Sequence, residues 1–305
     1  MSAPAQSVCK GLATLAVITC CMAFTHLVAV IQNSPELPAS SIHQMVKNVA
    51  WNELQASEHP AHYYRYIERT ISADGSTTTD EISTPHGDVD RLIEVDHARP
   101  SQRQLKANQQ LLATLPDDPQ LQESRYESQQ SDKLRRDNVI KDIPDAFIYT
   151  YSGKDKNGLI MLKFGPAPDF QPSSRQSFIL EGMAGELWVD PSTQRMAKIH
   201  GSLIKDVKIG WGFLARLNQG GTFNMEQSKG PDGTWHQVAL SVHFDGTILI
   251  FKHLHIRVKQ IRCCFAQVPD GLSIQDAVHL LQNQQSLPGG WQARLNAIQK
   301  SFAFN

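Results

Sequence analysis

The chain has 305 residues, with 29 Lys plus Arg against 30 Asp plus Glu and a formal charge of −1. No large positive field is present to draw a phosphate backbone, so nucleic acid is not an expected partner. At 41% apolar and 19% charged residues the composition is that of a folded chain, with length enough for one large domain.

Lys10 is followed by Gly11 to Ile31, a stretch without Asp, Glu, Lys or Arg that is mostly Leu, Ala, Val, Ile, Cys, Met and Phe. A positive start and an apolar run are the layout of a secretory signal, and the run is also long enough to stay as a membrane anchor. Residues 1–31 are therefore expected to be a cleaved signal or a retained anchor, placing the protein in the periplasm or facing it. Lipidation at Cys20 or Cys21 is disfavoured, because Thr19 or Cys20 then stands where a small Gly or Ala is usual. The other cysteines are the vicinal pair Cys263 and Cys264, and neighbours on a strand point to opposite faces, so two half-buried thiols are expected rather than a disulfide framework.

Residues 32–40, with Pro35 and Pro38, read as a linker to a single domain over 41–305. Ser41 and Gln44 have capping-box spacing, and Ile42, Met45, Val46, Val49, Ala50 and Leu54 follow at helical intervals. From His62 the chain turns aromatic and β-branched, then passes Asp74-Gly75 into a Thr-rich return, which predicts a hairpin, with a third strand over Asp88 to Val95. A polar helical insertion is expected over 101–144: Ser101 and Gln104 form a second capping box, and Asp118-Pro119 supplies a cap and a first-turn proline.

From Phe147 to Gln267 short apolar runs alternate with Gly, Pro, Asn and Asp. The predicted strands are Phe147–Tyr151, Leu159–Phe164, Phe178–Glu181, Glu186–Val189, Met196–Ile209, Thr222–Gln227, Trp235–Phe244, Thr247–Lys259 and Ile261–Gln267, and their short links imply antiparallel neighbours. In the Thr247–Lys259 run Ile248, Ile250, Leu254, Ile256 and Val258 share one face, and His253, His255, Arg257 and Lys259 the other. Ser273 and Asp276 open closing helices over 272–300.

No Gly-x-Ser-x-Gly, His-Glu-x-x-His, Walker or dinucleotide-binding glycine pattern occurs, so no enzyme activity and no cofactor are expected. Ser202 and Lys205 have Ser-x-x-Lys spacing but fall in a strand-like run, where residues three apart face opposite ways. His243, His253 and His255 could be assembled around a metal, but the neighbouring Arg257 and Lys259 argue for a solvated face, and no metal site is assigned. Asp88 and Asp90 share a strand face and read most simply as solvated. Ile209 to Leu217, with Trp211, Phe213 and Leu214 around glycines, reads as a plug over the sheet end or as the mouth of a ligand cavity.

The order of export signal, amphipathic helix, antiparallel strands, helical insertion, further strands and helical closure resembles the periplasmic lipoprotein carriers of the Lol type. The segment Met183-Ala-Gly-Glu-Leu-Trp-Val-Asp190 followed by Arg195-Met-Ala-Lys-Ile199 is similar to that group's paired strands, and the likeness spans His62 to Gln267. The resemblance implies an α+β fold, mainly antiparallel β, in which a curved incomplete β-barrel is covered by helices around an apolar cavity for acyl chains.

The expected function is non-enzymatic binding of a lipid or acylated ligand, with Trp188, Trp211, Phe213, Leu214, Phe223, Ile250 and Leu254 as candidate lining residues. The alternatives are a structural or interaction protein of the cell envelope with a filled core, and an exported hydrolase without a recognisable motif.

Overall fold

A computed structural model describes residues 38–209, 214–249, 252–283 and 286–302. The apolar stretch 11–31, and with it the expected signal, anchor and lipidation, lies outside the described residues. So do three of the candidate lining residues, Trp211, Phe213 and Ile250.

The protein is α+β. In chain order come α1 (Ala39–Glu58), β1 (Tyr63–Ser72), β2 (Gly75–Ile82), β3 (Val89–Val95), α2 (Gln102–Thr114), α3 (Pro119–Ala146), β4 (Phe147–Lys154), β5 (Ile160–Pro166), β6 (Met183–Asp190), β7 (Arg195–Leu203), β8 (Val207–Ile209), β9 (Ala215–Leu217), β10 (Thr222–Lys229), β11 (Trp235–Ile248), β12 (Lys252–Val268), α4 (Ile274–Asn283) and α5 (Trp291–Ser301). The strands form one antiparallel sheet in the order β3-β2-β1-β12-β11-β10-β7-β6-β5-β4, with β8 and β9 joined to β11 off this path, and the sheet does not close.

Helices cover opposite faces at opposite ends of this sheet. On one face α1 buries Ile42, Val46 and Val49, and the end of α3 buries Ile143 and Ala146, against Leu162, Phe164, Met183, Leu187 and Ile199 of the β5–β7 end. The residues of α1 recur three and four apart, which is why a single stripe of the helix meets the sheet. On the other face α4 packs Ala277, Val278 and Leu281 against Ile82 and Val89, while Leu295 of α5 packs on Ile67, Ile261 and Cys263. Beneath α5 the charges are paired: Asp80, fully buried, lies between Arg65 at 2.7 Å and Arg91 at 2.6 Å, and Arg69 meets Glu94 at 3.1 Å.

Several expectations change. The first helix starts at Ala39 with Pro38 at its cap and no side-chain capping bond, so Ser41 is inside the helix rather than before it. The Ser101 capping box forms as expected, and Asp118 accepts from the Leu121 N–H at 3.0 Å to cap α3. The expected strand at Phe178–Glu181 is instead a 3-10 helix over Gln176–Gly182. The expected Met196–Ile209 strand breaks into β7 and β8, which puts Lys205 beyond the end of the strand carrying Ser202.

No turn forms at Asp245-Gly246, where β11 runs on to Ile248, and β12 runs unbroken through Gln260. A Cβ on Gly246 would lie 2.1 Å from the Arg216 carbonyl oxygen of β9, so this glycine admits a neighbouring strand instead of reversing the chain. Cys264 has φ of +66° at a bulge opposite Tyr66, which turns it toward the α5 face with Cys263 instead of the opposite face expected for strand neighbours.

Candidate ligand cavity

A cavity of about 780 Å³ lies between α1, α3, the 3-10 helix and the face of the sheet that they cover. Its sheet wall follows from register. Phe223 stands opposite Val242, Met225 opposite Ile199 on one side and Leu240 on the other, and Leu240 opposite Gln260. Directly opposed residues share a face, so Phe223, Met225, Ile199 and Leu240 form one apolar floor. Met183, Met196 and Phe147 extend it, and Val139, Ile140 and Ile143 of α3 with Ile179 and Leu180 of the 3-10 helix close it from above.

Glu53 fixes the α1 side. Its carboxylate accepts from Arg195 Nε at 2.7 Å and Nη2 at 3.0 Å, from the Met196 N–H at 2.9 Å and from Gln227 Nε2 at 2.9 Å. These charge-assisted bonds join one helix to two adjacent strands. The cavity reaches solvent beside Asp132, whose side chain is 70% exposed and whose partner is Arg135.

Toward β1–β3 the same face becomes polar. Arg262 and Gln260 of β12 and Asp88 before β3 border the cavity, with Glu68 of β1 and Glu81 of β2 alongside. Arg262 Nε donates to Glu68 Oε2 at 2.5 Å, and the guanidinium lies 5.3 Å from the centre of the Tyr66 ring. Burial opposes its charge, but Tyr66, Glu68 and Glu81 together hold its pKa above the usual value. Asp90 pairs with Arg125 of α3 at 2.7 Å. Burial pushes the Glu81 carboxyl up to about 8, with Glu68 adding to the rise and Arg262 opposing it. Burial likewise raises Asp88 to about 6, against the pull of Arg262. The expectation that Asp88 and Asp90 are merely solvated is corrected: one borders a cavity and the other is held in an ion pair.

Of the candidate residues within the described part, Phe223 lies in the cavity wall. Leu254 shares the face of Gln260 and Arg262 but sits further along β12, opposite Gly246, packed on the core. Leu214 is half exposed. Trp188 faces away: Leu187 and Val189 on either side are buried in the core, whereas the indole packs on the His200 ring at 5.0 Å. Strand alternation carried that information, since an inward Leu187 and Val189 require an outward Trp188. His243 and His255 both contact Asp245, at 3.2 and 2.6 Å, and Arg257 donates to His243, so these rings take part in a surface ion-pair group. Among the described residues no group of three or more His, Cys, Asp or Glu is placed to hold a metal. No described helix is long and apolar enough to cross a membrane.

No family model, curated protein or solved structure matches the chain. The fold and the cavity therefore carry the functional argument.

Proposed function

We propose that the protein is a non-enzymatic binding protein that takes up a lipid or acylated molecule in this cavity, and that it works in the cell envelope. The observation that carries the reading is the cavity: about 780 Å³, with an apolar floor of Phe223, Met225, Ile199 and Leu240 and a polar end at Asp88 and Arg262. That volume is within the roughly 300–1,000 Å³ of small-ligand sites, and the graded wall suits a molecule with one apolar and one polar end. Burying an alkyl chain on such a floor is favourable by about 25 cal/mol per Å² of apolar surface removed from water.

In this reading the open sheet with α1 and α3 across it acts as the incomplete barrel of the Lol-type carriers, holding its guest between sheet and helices. The apolar stretch 11–31 supports export and a place in or beside the periplasm. The test is native mass spectrometry of the chain purified without detergent, together with titration of a neutral fluorescent acyl probe such as a pyrene-labelled fatty alcohol. A co-purifying lipid and saturable one-to-one binding are expected. An unliganded mass together with no saturable binding overturns the proposal and favours an envelope interaction protein.

A further inference from the structure

Four carboxylates and two guanidinium groups meet at the polar end of the cavity. Glu68, Glu81, Asp88 and Asp90 come from the β1–β3 segment, Arg262 from β12 and Arg125 from α3. Arg262 is taken by Glu68 and Arg125 by Asp90. Among the described residues Glu81 and Asp88 have no cation within ion-pair distance.

Asp88 differs from the other charged groups of the cavity wall. Glu53 pairs with Arg195, Lys133 and Arg136 with Asp137, and His62 with Asp270. Asp88 has no such partner among the described residues, and its main chain is held in place by α3: Gln129 Oε1 accepts from the Asp88 N–H at 2.8 Å and Gln129 Nε2 donates to its carbonyl at 3.2 Å. The positive φ of Gly87, +111°, lets that loop come up against Gln129. The Asp88 main chain is thus held by two elements, and its partly buried carboxylate borders the cavity.

We propose that this end of the cavity receives a positively charged head group, a primary or quaternary ammonium carried on an apolar chain, with Asp88 as the carboxylate that meets it. The proposal rests on the amphiphile-binding reading and names the chemistry of its ligand. A partly desolvated carboxylate without a counterion is costly, and a ligand cation removes that cost where none of the described cations does. An anionic head is disfavoured at the same place. Arg262 is already engaged by Glu68 and lies over Tyr66, and an incoming anion would meet the Asp88 carboxylate, which no described cation neutralises.

The titratable and charged groups around Asp88 are Tyr63, Tyr66 and Glu68 from β1, Glu81 from β2, Asp90 from β3, Arg262 from β12 and Arg125 from α3. The carboxylates among them raise its proton affinity, and a bound ammonium lowers it, so binding releases a proton and strengthens as the pH rises toward 8.

The test compares decylammonium, decyltrimethylammonium, decyl sulfate and decyl maltoside, all below their micellar concentrations, by calorimetric titration of the full chain. The two ammonium compounds are expected to bind at least tenfold more tightly than the sulfate at pH 7.5, and to weaken between pH 7.5 and 5. Asp88→Asn should lower ammonium affinity about tenfold and leave the maltoside unchanged. Sulfate binding equal to or tighter than ammonium overturns the proposal, and that comparison needs no variant to fold. Ammonium binding unchanged in Asp88→Asn overturns it as well. Maltoside binding with no preference among heads leaves the amphiphile cavity standing and removes only its cationic specificity, whereas absence of binding by all four removes both.

Discussion

Glu53 joins three elements through one carboxylate, and its removal should show how far α1 depends on them. Glu53→Ala leaves the Arg195 guanidinium and the Met196 N–H without their acceptor in a largely buried place. Losing one partner of a buried pair typically costs about 3–5 kcal/mol, so a drop near the lower end of that range is expected in urea unfolding. A loss under about 1 kcal/mol would show that α1 is held by its apolar stripe alone. Glu81 and Asp88 have the opposite sign. Burial raises both pKa values, to about 8 from 4.5 and to about 6 from 3.8, so the folded state holds protons that the unfolded chain releases. Stability from these groups is complete below the unfolded values and is lost as pH rises through about 4 to 8. The thermal midpoint is expected to fall over that interval, and Glu81→Gln to flatten the fall and raise the midpoint at pH 8. A midpoint that climbs steadily from pH 5 to 8 in both proteins would refute this account.

Local chemistry made some elements readable and hid others. The Ser101 box, the Asp118 cap and the Asp74-Gly75 hairpin were legible because each depends on residues within one turn of chain. Phe178–Glu181 reads as a strand because its short apolar run, Phe178-Ile179-Leu180, fits a buried strand as well as a short helix, and periodicity cannot separate them. Gly246 mimics a turn in the sequence because a glycine admits a close neighbour as readily as a turn, and the neighbour, β9, is fixed by tertiary pairing. Gly185 has the same role in the segment that carries the carrier resemblance. It pairs with Gly201 of β7, and a Cβ there would lie 1.9 Å from the His200 carbonyl oxygen. Gly185→Ala should therefore break the β6–β7 ladder and give an aggregated or unfolded chain, whereas Gly165→Ala, with nothing within 4 Å of the added carbon, should stay folded by circular dichroism. Two folded variants with equal midpoints would overturn this reading. The closing helix offers a graded test: Leu295 of α5 is completely buried on Ile67, Ile261 and Cys263, so Leu295→Ala should cost about 2–5 kcal/mol in urea unfolding.

The cavity is a property of the assembled chain, built from residues far apart in sequence, and that is why so little of it is legible in the sequence alone. Phe223 is among the residues expected from the sequence to line a cavity, but nothing local separates Met183, Met196, Ile199, Met225 and Leu240 from ordinary core, and only the strand order places them around one hollow. The insertion over 101–144 is polar in sequence, yet its second helix supplies Val139, Ile140 and Ile143 to the cavity and Arg125 and Gln129 to the polar end. Deleting it would open the cavity to solvent. A gentler test fills the space from the floor. Met225 stands between Ile199 and Leu240, where it borders the cavity, so Met225→Trp puts an indole where an alkyl chain would lie. In a filled core such an enlargement typically costs about 1–3 kcal/mol through strain, while in a hollow the ring gains contacts that were missing. The expected result is an unchanged or raised unfolding midpoint together with at least a tenfold loss of acyl-probe affinity. A lowered midpoint with affinity intact would mean that the space is taken up by the protein's own side chains, and that the guest, if there is one, binds elsewhere.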